Sequence, residues 1–207
     1  MFYDRYQAAE RLAEKLKQFK GQNPLVLAIP RGAVPMAKVI AEKLDGAYDV
    51  VLVRKLSAPY QPELAIGSVD ESGWTYIADF AFSTNANDEY IASEKKRQLE
   101  TIHKRRAQYT PARPPIDPSG RVVIVVDDGL ATGATMIAAL HGIRNKNPSK
   151  LICAVPVSPP STLYKIAELA DELVCLKTPE EFQSVSQFYM HFPQVEDDEV
   201  IKILKES

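Results

Sequence analysis

The chain has 207 residues, of which 45% are hydrophobic and 25% charged, and its 25 basic and 27 acidic residues leave a formal net charge of −2. That length suits one domain with a full core, and the charge balance argues against a nucleic-acid partner or an anionic membrane surface. No apolar stretch reaches the ~18–20 residues that span a bilayer, and FYDRYQAAERLAEKLKQF at the start mixes acids and bases, so no membrane span or leader is expected and the cytoplasm is the expected compartment.

Ala8, Ala9, Leu12, Ala13, Leu16 and Phe19 recur at helical spacing opposite a charged face, which predicts a helix over Arg5–Phe19, ended by Gly21. Leu25–Ile29 reads as a short buried strand, left through Pro30-Arg31-Gly32. A helix over Val34–Leu44 and a strand over Val50–Val53, ended by Arg54-Lys55, come next. Helix, strand, helix, strand argues for an α/β fold with a central, mainly parallel sheet flanked by helices. Ser57–Glu63 holds two prolines and cannot be an interior strand. Leu64–Val69 and Trp74–Ile77 read as a hairpin about Asp70–Gly73.

Asp88–Tyr109 reads as a long polar helix whose few apolar residues, Ile91, Leu99 and Ile102, leave it solvated or held against a partner. Pro111–Gly120 is an extended connector. The strongest strand, Arg121–Asp127, leads through a loop at Gly129–Gly133 into a helix over Ala134–Arg144. A strand at Leu151–Val157, a helix at Ser161–Ala170, a short strand at Leu173–Leu176 and a helix near Glu196–Leu204 complete the chain. Cys153 and Cys175 lie in apolar runs and read as buried thiols in neighbouring strands. His103, His141 and His191 form no cluster, so no zinc site is expected.

The segment VVIVVDDGLATGAT, residues 122–135, carries the chemistry. A buried strand that ends in Asp127-Asp128 sets two carboxylates at the carboxyl edge of the sheet, where open α/β sheets bind ligands. Adjacent carboxylates suit the vicinal hydroxyls of a ribose, directly or through Mg²⁺. Gly129 and the run Ala131-Thr132-Gly133-Ala134-Thr135 carry no bulky side chain, so backbone N–H groups and threonine hydroxyls can close on a phosphate at the start of the next helix. A diol-binding acid pair beside a phosphate cradle matches a ribose 5-phosphate. No Walker lysine follows the loop and no GxGxxG follows the first strand, which argues against a P-loop NTPase and a dinucleotide fold.

This segment resembles the signature of type I phosphoribosyltransferases, which bind 5-phosphoribosyl 1-pyrophosphate (PRPP). The resemblance implies that Asp127 and Asp128 hold the ribose hydroxyls and Mg²⁺, and that Ala131 through Thr135 hold the 5-phosphate. It implies a pyrophosphate loop at Pro30-Arg31-Gly32, basic pyrophosphate ligands at Arg54 and Lys55, and a catalytic set of Asp127, Asp128, Arg31 and Lys55. Solvated charge remains an even alternative for Arg54 and for Lys55. ELAIGSV, Glu63–Val69, and the tail FQSVSQFYMHFPQVEDDEVIKIL resemble an uncharacterised phosphoribosyltransferase-domain branch.

Further expectations rest on the same resemblance. The chain is one phosphoribosyltransferase domain, 1–207, with a mobile cover at about 57–73 and a hood from about 156–161 and 178–193. A nitrogenous acceptor displaces pyrophosphate, and the protein is a homodimer with Asp88–Tyr109 as a contact. Enzymes for 6-oxopurines carry an acid four positions after the first acid of the pair. Ala131 stands there, which argues against that acceptor. Phe182, Phe188, Tyr189 and Phe192 could stack on a base, but aromatics at such a place are more often core. A PRPP-binding regulator without efficient transfer is the alternative.

Overall fold

The computed structural model describes residues 1–206. Helix α1 (Arg5–Lys15) opens on Asp4, whose carboxylate accepts the Gln7 N–H at 2.8 Å, and it buries Ala8, Ala9, Leu12 and Ala13. β1 (Leu25–Ala28), α2 (Val34–Leu44) and β2 (Ala47–Val50) follow. Next come β3 (Val53–Ala58), β4 (Gln61–Asp70) and β5 (Thr75–Ile77), then α3 (Asp88–Tyr109), which starts on an Asn87 cap with Asp88 and Glu89 in its first turn. The chain continues through β6 (Val122–Val126), α4 (Ala134–Arg144), β7 (Lys150–Val157), α5 (Pro160–Ile166), β8 (Glu172–Lys177) and α6 (Asp197–Lys205).

Five strands form a parallel sheet in the order β2-β1-β6-β7-β8, and β3, β4 and β5 form a smaller antiparallel sheet. This is the α/β architecture expected from the sequence. Alternate residues of the parallel strands serve two cores. Val26, Ala28, Ile124, Val126, Ile152 and Ala154 pack with α1, α2 and the tail. Leu25, Leu27, Val123, Val125, Leu151, Cys153 and Val155 pack with α4. β1 and β6 lie side by side in register, so the loops leaving their carboxyl ends meet. Cys153 is buried in β7 and Cys175 half-buried in β8, both as free thiols.

Four local expectations need correction. Val50–Val53 is not one strand: β2 stops at Val50, Val51 and Leu52 leave the sheet, and β3 begins at Val53. A run buried throughout gives no sign of where the backbone changes sheets. Arg54 and Lys55 therefore do not end a strand; they lie inside β3, opposite Val69 and Ser68. Ser57–Glu63 is not free of strand: Ser57 and Ala58 end β3 and Gln61–Glu63 begin β4, the middle strand of the small sheet, so only Pro59-Tyr60, with Tyr60 at φ 60°, form the turn, and Pro62 lies in β4 before its pairing with β5 begins at Gly67, beside register shifts in the β3–β4 ladder. The helix expected to Ala170 stops at Ile166. The β4–β5 hairpin forms as expected, and α2, α3 and α4 have the expected bounds.

Candidate active site

β6 ends at Val126 and delivers Asp127 and Asp128 to the carboxyl edge of the sheet, both half-buried. Asp127 Oδ1 accepts the Asp128 N–H at 2.8 Å. Asp128 Oδ2 accepts Arg5 Nε at 3.0 Å. The Arg5 guanidinium also donates to the Pro193 carbonyl at 2.6 Å and lies 3.8 Å from the Phe192 ring centroid. Tyr189 donates its hydroxyl to the Asp128 carbonyl at 2.6 Å. Burial, and then the neighbouring Asp128 charge, push the Asp127 carboxyl well above the usual carboxylate range. Burial raises Asp128 too, against the Arg5 charge beside it.

The β1–α2 loop closes on this pair. A side chain on Gly32 would place its Cβ 2.2 Å from Asp128 Oδ2, so glycine is required for the approach. The preceding Pro30-Arg31 peptide is cis. Gly32 and Asp128 line a cavity of about 320 Å³ with Arg5, Arg31 and Phe192.

The β6–α4 loop forms an open turn. Leu130 N–H bonds the Val157 carbonyl at 2.9 Å, and Thr162 Oγ1 donates to the Ala131 carbonyl at 2.6 Å, which pins the loop from below. Gly133 holds φ 80° at the N-cap of α4, where a Cβ would meet Thr162 Cγ2 at 2.8 Å. No side chain caps α4 there; the nearest contact is a long one, 3.4 Å, from Ala134 N to Thr132 Oγ1. Ala131 and Thr132 are exposed and Thr135 half-buried, so the first N–H groups of α4 remain available to an anion.

Cations approach from a third side. Arg31 Nη1 lies 3.3 Å from Glu196 Oε2 and 3.7 Å from Asp197 Oδ2. Asp197 Oδ1 also faces Arg105 Nε at 3.8 Å and accepts the Tyr109 hydroxyl at 2.6 Å. Arg54 Nε donates to Gln98 Oε1 at 2.9 Å. Burial first, then the Arg105 and Arg31 charges, pull Arg54 below its ordinary value. Three arginines from three elements thus share one neighbourhood. Lys55 points elsewhere, 3.5 Å from the exposed Glu63.

Sequence reasoning missed Arg5, Arg105 and Asp197. Arg5 looks like the first charge of an amphipathic helix, and Arg105 like one of the solvated charges of α3. Only the return of the tail, through the Phe2–Tyr189 bridge, reveals what they face. The tail aromatics are packed, in keeping with the core reading: Tyr189 lies 5.5 Å from Phe2 and 4.8 Å from Phe192, and Phe182 lies 5.2 Å from Phe188, between ring centroids. Val185 fills the space a Gly129 side chain would need.

Segment 57–73 comprises the end of β3, all of β4 and the turn beyond it. Its base is tied to α3, since Glu94 accepts the Ser57 N–H at 3.2 Å and Tyr90 donates to the Ser57 carbonyl at 2.6 Å. Among the described residues no helix is long and apolar enough to cross a membrane, and no group of three or more His, Cys, Asp and Glu could hold a metal unaided. Mg²⁺ is commonly held by one or two carboxylates with substrate oxygens filling the shell, and Asp127 and Asp128 fit that requirement.

Comparisons with known proteins identify the family and the fold. The sequence profile of the phosphoribosyl transferase domain family matches residues 2–192. Proteins of two Mycobacterium tuberculosis strains, provisionally named phosphoribosyl transferases, are 39% identical over 205 residues, which is 99% of this chain and 46% of theirs. The chain thus spans about half the length of the curated relatives it matches. The crystal structure of TT1426 from Thermus thermophilus is 40% identical with a TM-score of 0.82, covering 99% of this chain and 98% of that one. A Staphylococcus aureus hypoxanthine phosphoribosyltransferase is 15% identical with a TM-score of 0.50, covering 86% and 75%, a likeness of fold alone.

Proposed function

This chain belongs to the phosphoribosyl transferase domain family, with the enzyme class expected of its sequence, and from that premise we propose that it transfers the 5-phosphoribosyl group of PRPP to a nitrogenous acceptor and releases pyrophosphate. The observation that carries this reading is the junction of β1 and β6, where an acid pair, an uncapped helix start and Arg31 meet at one sheet edge. Asp127 and Asp128 take the ribose hydroxyls. Gly129 and the amides and hydroxyls of Ala131, Thr132, Gly133, Ala134 and Thr135 seat the 5-phosphate.

Pro30, Arg31 and Gly32 face the pyrophosphate, with Arg54 the better placed of the two β3 cations. Mg²⁺, bound with PRPP and held from the protein side by Asp127 and Asp128, supplies charge neutralisation at the leaving group. The bond from C1 to pyrophosphate breaks as the bond to the acceptor nitrogen forms. Positive charge that builds at C1 is stabilised by the carboxylates, and negative charge on the leaving group by Arg31, Arg54 and loop amides.

The tip of the β3–β4 hairpin serves as the cover that excludes water, and the segments 156–161 and 178–193 form the hood of a single domain. The exposed Ala131 offers no acid to a purine N7, which disfavours a 6-oxopurine acceptor. The protein acts in the cytoplasm, as a homodimer with α3 at its contact.

Assay of pyrophosphate release from PRPP and Mg²⁺ over a panel of nucleobases and amines tests the reading. Release that depends on one acceptor supports it. Tight PRPP binding without release for any acceptor makes the protein a PRPP-binding regulator instead. Release without any acceptor makes it a hydrolase.

A further inference from the structure

Arg5 is out of place by local measures. It is the first residue of α1, where the positive end of the helix dipole disfavours a cation. It is 7% exposed, and a buried arginine is costly unless it is paired. The bonds that offset this cost lie outside α1. Nε donates to Asp128 Oδ2 and Nη1 to the Pro193 carbonyl, with the Phe192 ring over the guanidinium.

The chain on either side of Arg5 is held as well. Phe2 N–H donates to the Phe188 carbonyl at 2.7 Å, Met190 N–H to the Phe2 carbonyl at 2.8 Å and His191 N–H to the Tyr3 carbonyl at 2.9 Å. The first residues and the tail thus form a clasp, and both of its halves reach Asp128. Arg5 takes the carboxylate, and the Tyr189 hydroxyl takes the backbone carbonyl.

Asp128 needs such a hold. It stands next to Asp127, and two neighbouring carboxylates repel, so an unheld one turns away. One oxygen of each is committed to the chain: Asp127 Oδ1 to the Asp128 N–H, and Asp128 Oδ2 to Arg5. Asp128 Oδ2, Arg5 Nη2 and Arg5 Nε lie 2.2, 3.0 and 3.2 Å from the place a Gly32 Cβ would take. Carboxylate, guanidinium and β1–α2 loop are therefore packed without slack.

We propose that Arg5 is a positioning residue of the transfer site: by holding Asp128 Oδ2 it fixes the other Asp128 oxygen toward the ribose hydroxyls and Mg²⁺ of bound PRPP. This role rests on the PRPP reading of the acid pair. A carboxylate already fixed in place binds without the entropy loss of being ordered. The planar fork of arginine reaches Asp128 and the Pro193 carbonyl together, which a lysine ammonium does less well.

A double-mutant cycle on Mg²⁺-dependent PRPP binding, read by calorimetric titration of the full chain, tests the role. Arg5→Ala should weaken binding by at least about fivefold while keeping a cooperative thermal transition. Introduced into Asp128→Ala, where no carboxylate is left to position, it should weaken binding by less than about twofold more. Methylguanidinium, well below denaturing concentrations, should restore binding to Arg5→Ala and do nothing for Asp128→Ala. A general loosening of the tail gives neither the coupling nor the rescue. If Arg5→Ala does not fold, Arg5→Lys enters the same cycle, with a loss of about threefold or more that again vanishes in Asp128→Ala. A native chain that binds no PRPP with Mg²⁺ overturns the transfer reading and this role together. A native chain that binds it overturns the positioning role alone if Arg5→Ala binds as tightly, if the two losses simply add, or if methylguanidinium rescues nothing.

Discussion

The two sides of the candidate site are built by opposite means. The ribose and phosphate side is one contiguous segment, Asp127 to Thr135, in which a strand end and a helix start supply two carboxylates and bare amides. The pyrophosphate side is assembled from side chains on separate elements: Arg31 on a loop, Arg54 on β3, Arg105 and Tyr109 on α3, and Glu196 and Asp197 at α6. A contiguous site is preorganised by its own backbone and tolerates little change. An assembled one can trade partners: Arg31 and Arg105 rest on the acids at the start of α6, and Arg54 on Gln98.

Substitutions can sharpen or break this contrast. The contiguous side should fail most sharply. Asp128→Asn is expected to weaken Mg²⁺-dependent PRPP binding by at least about tenfold, ~1.4 kcal/mol or more, read by calorimetric titration of a mutant shown to be folded. Gly32→Ala should have an effect of the same size, because its Cβ would meet Asp128 Oδ2 at 2.2 Å and displace the carboxylate. On the assembled side, Arg54→Ala should weaken pyrophosphate binding by about threefold to tenfold, as loss of one charge-assisted bond among several. Lys55→Ala should change it by less than about twofold, since an exposed pair with Glu63 is worth little. Equal losses for Arg54→Ala and Lys55→Ala would break the assignment of roles.

The smallest effect concerns stability. The Asp127 carboxyl is raised in the folded chain by burial and by Asp128. A raised pKa gives stability that is present below the unfolded value and is lost as pH rises through the folded value. Above the unfolded value the buried Asp127 carboxyl is therefore a cost of the ligand-free fold. Asp127→Asn keeps the oxygen that accepts the Asp128 N–H and removes the charge. It should raise the melting temperature of the ligand-free protein at pH 7, where a gain of about 1 kcal/mol is ~2–4 °C for a chain of this size. It should also weaken PRPP binding. By the same sign, PRPP binding should fall off on acidification at a higher pH than an ordinary carboxylate would dictate. A melting temperature lowered by Asp127→Asn would contradict the buried-charge account.

The contrast also explains what the sequence disclosed. VVIVVDDGLATGAT could be read because strand, acids, turn and helix follow one another, and the bounds of α2, α3 and α4 follow from apolar period and flanking turns. Val50–Val53 misled because a run buried throughout hides the point at which β2 gives way to β3. Arg5, Arg105 and Asp197 were silent because their meaning lies in partners distant along the chain: Arg5 finds Asp128 and Pro193 only after the tail has folded back. Glu94 and Gln98, buried on a helix that reads as solvated, are silent for the same reason.

A crystal structure with Mg²⁺ and PRPP bound tests the central claim most directly. The account predicts the ribose hydroxyls within hydrogen-bond or metal-bridged reach of Asp127 and Asp128, with the 5-phosphate on the first amides of α4. PRPP bound elsewhere, or a 5-phosphate resting on Arg31 and Arg54 with α4 bare, would contradict it.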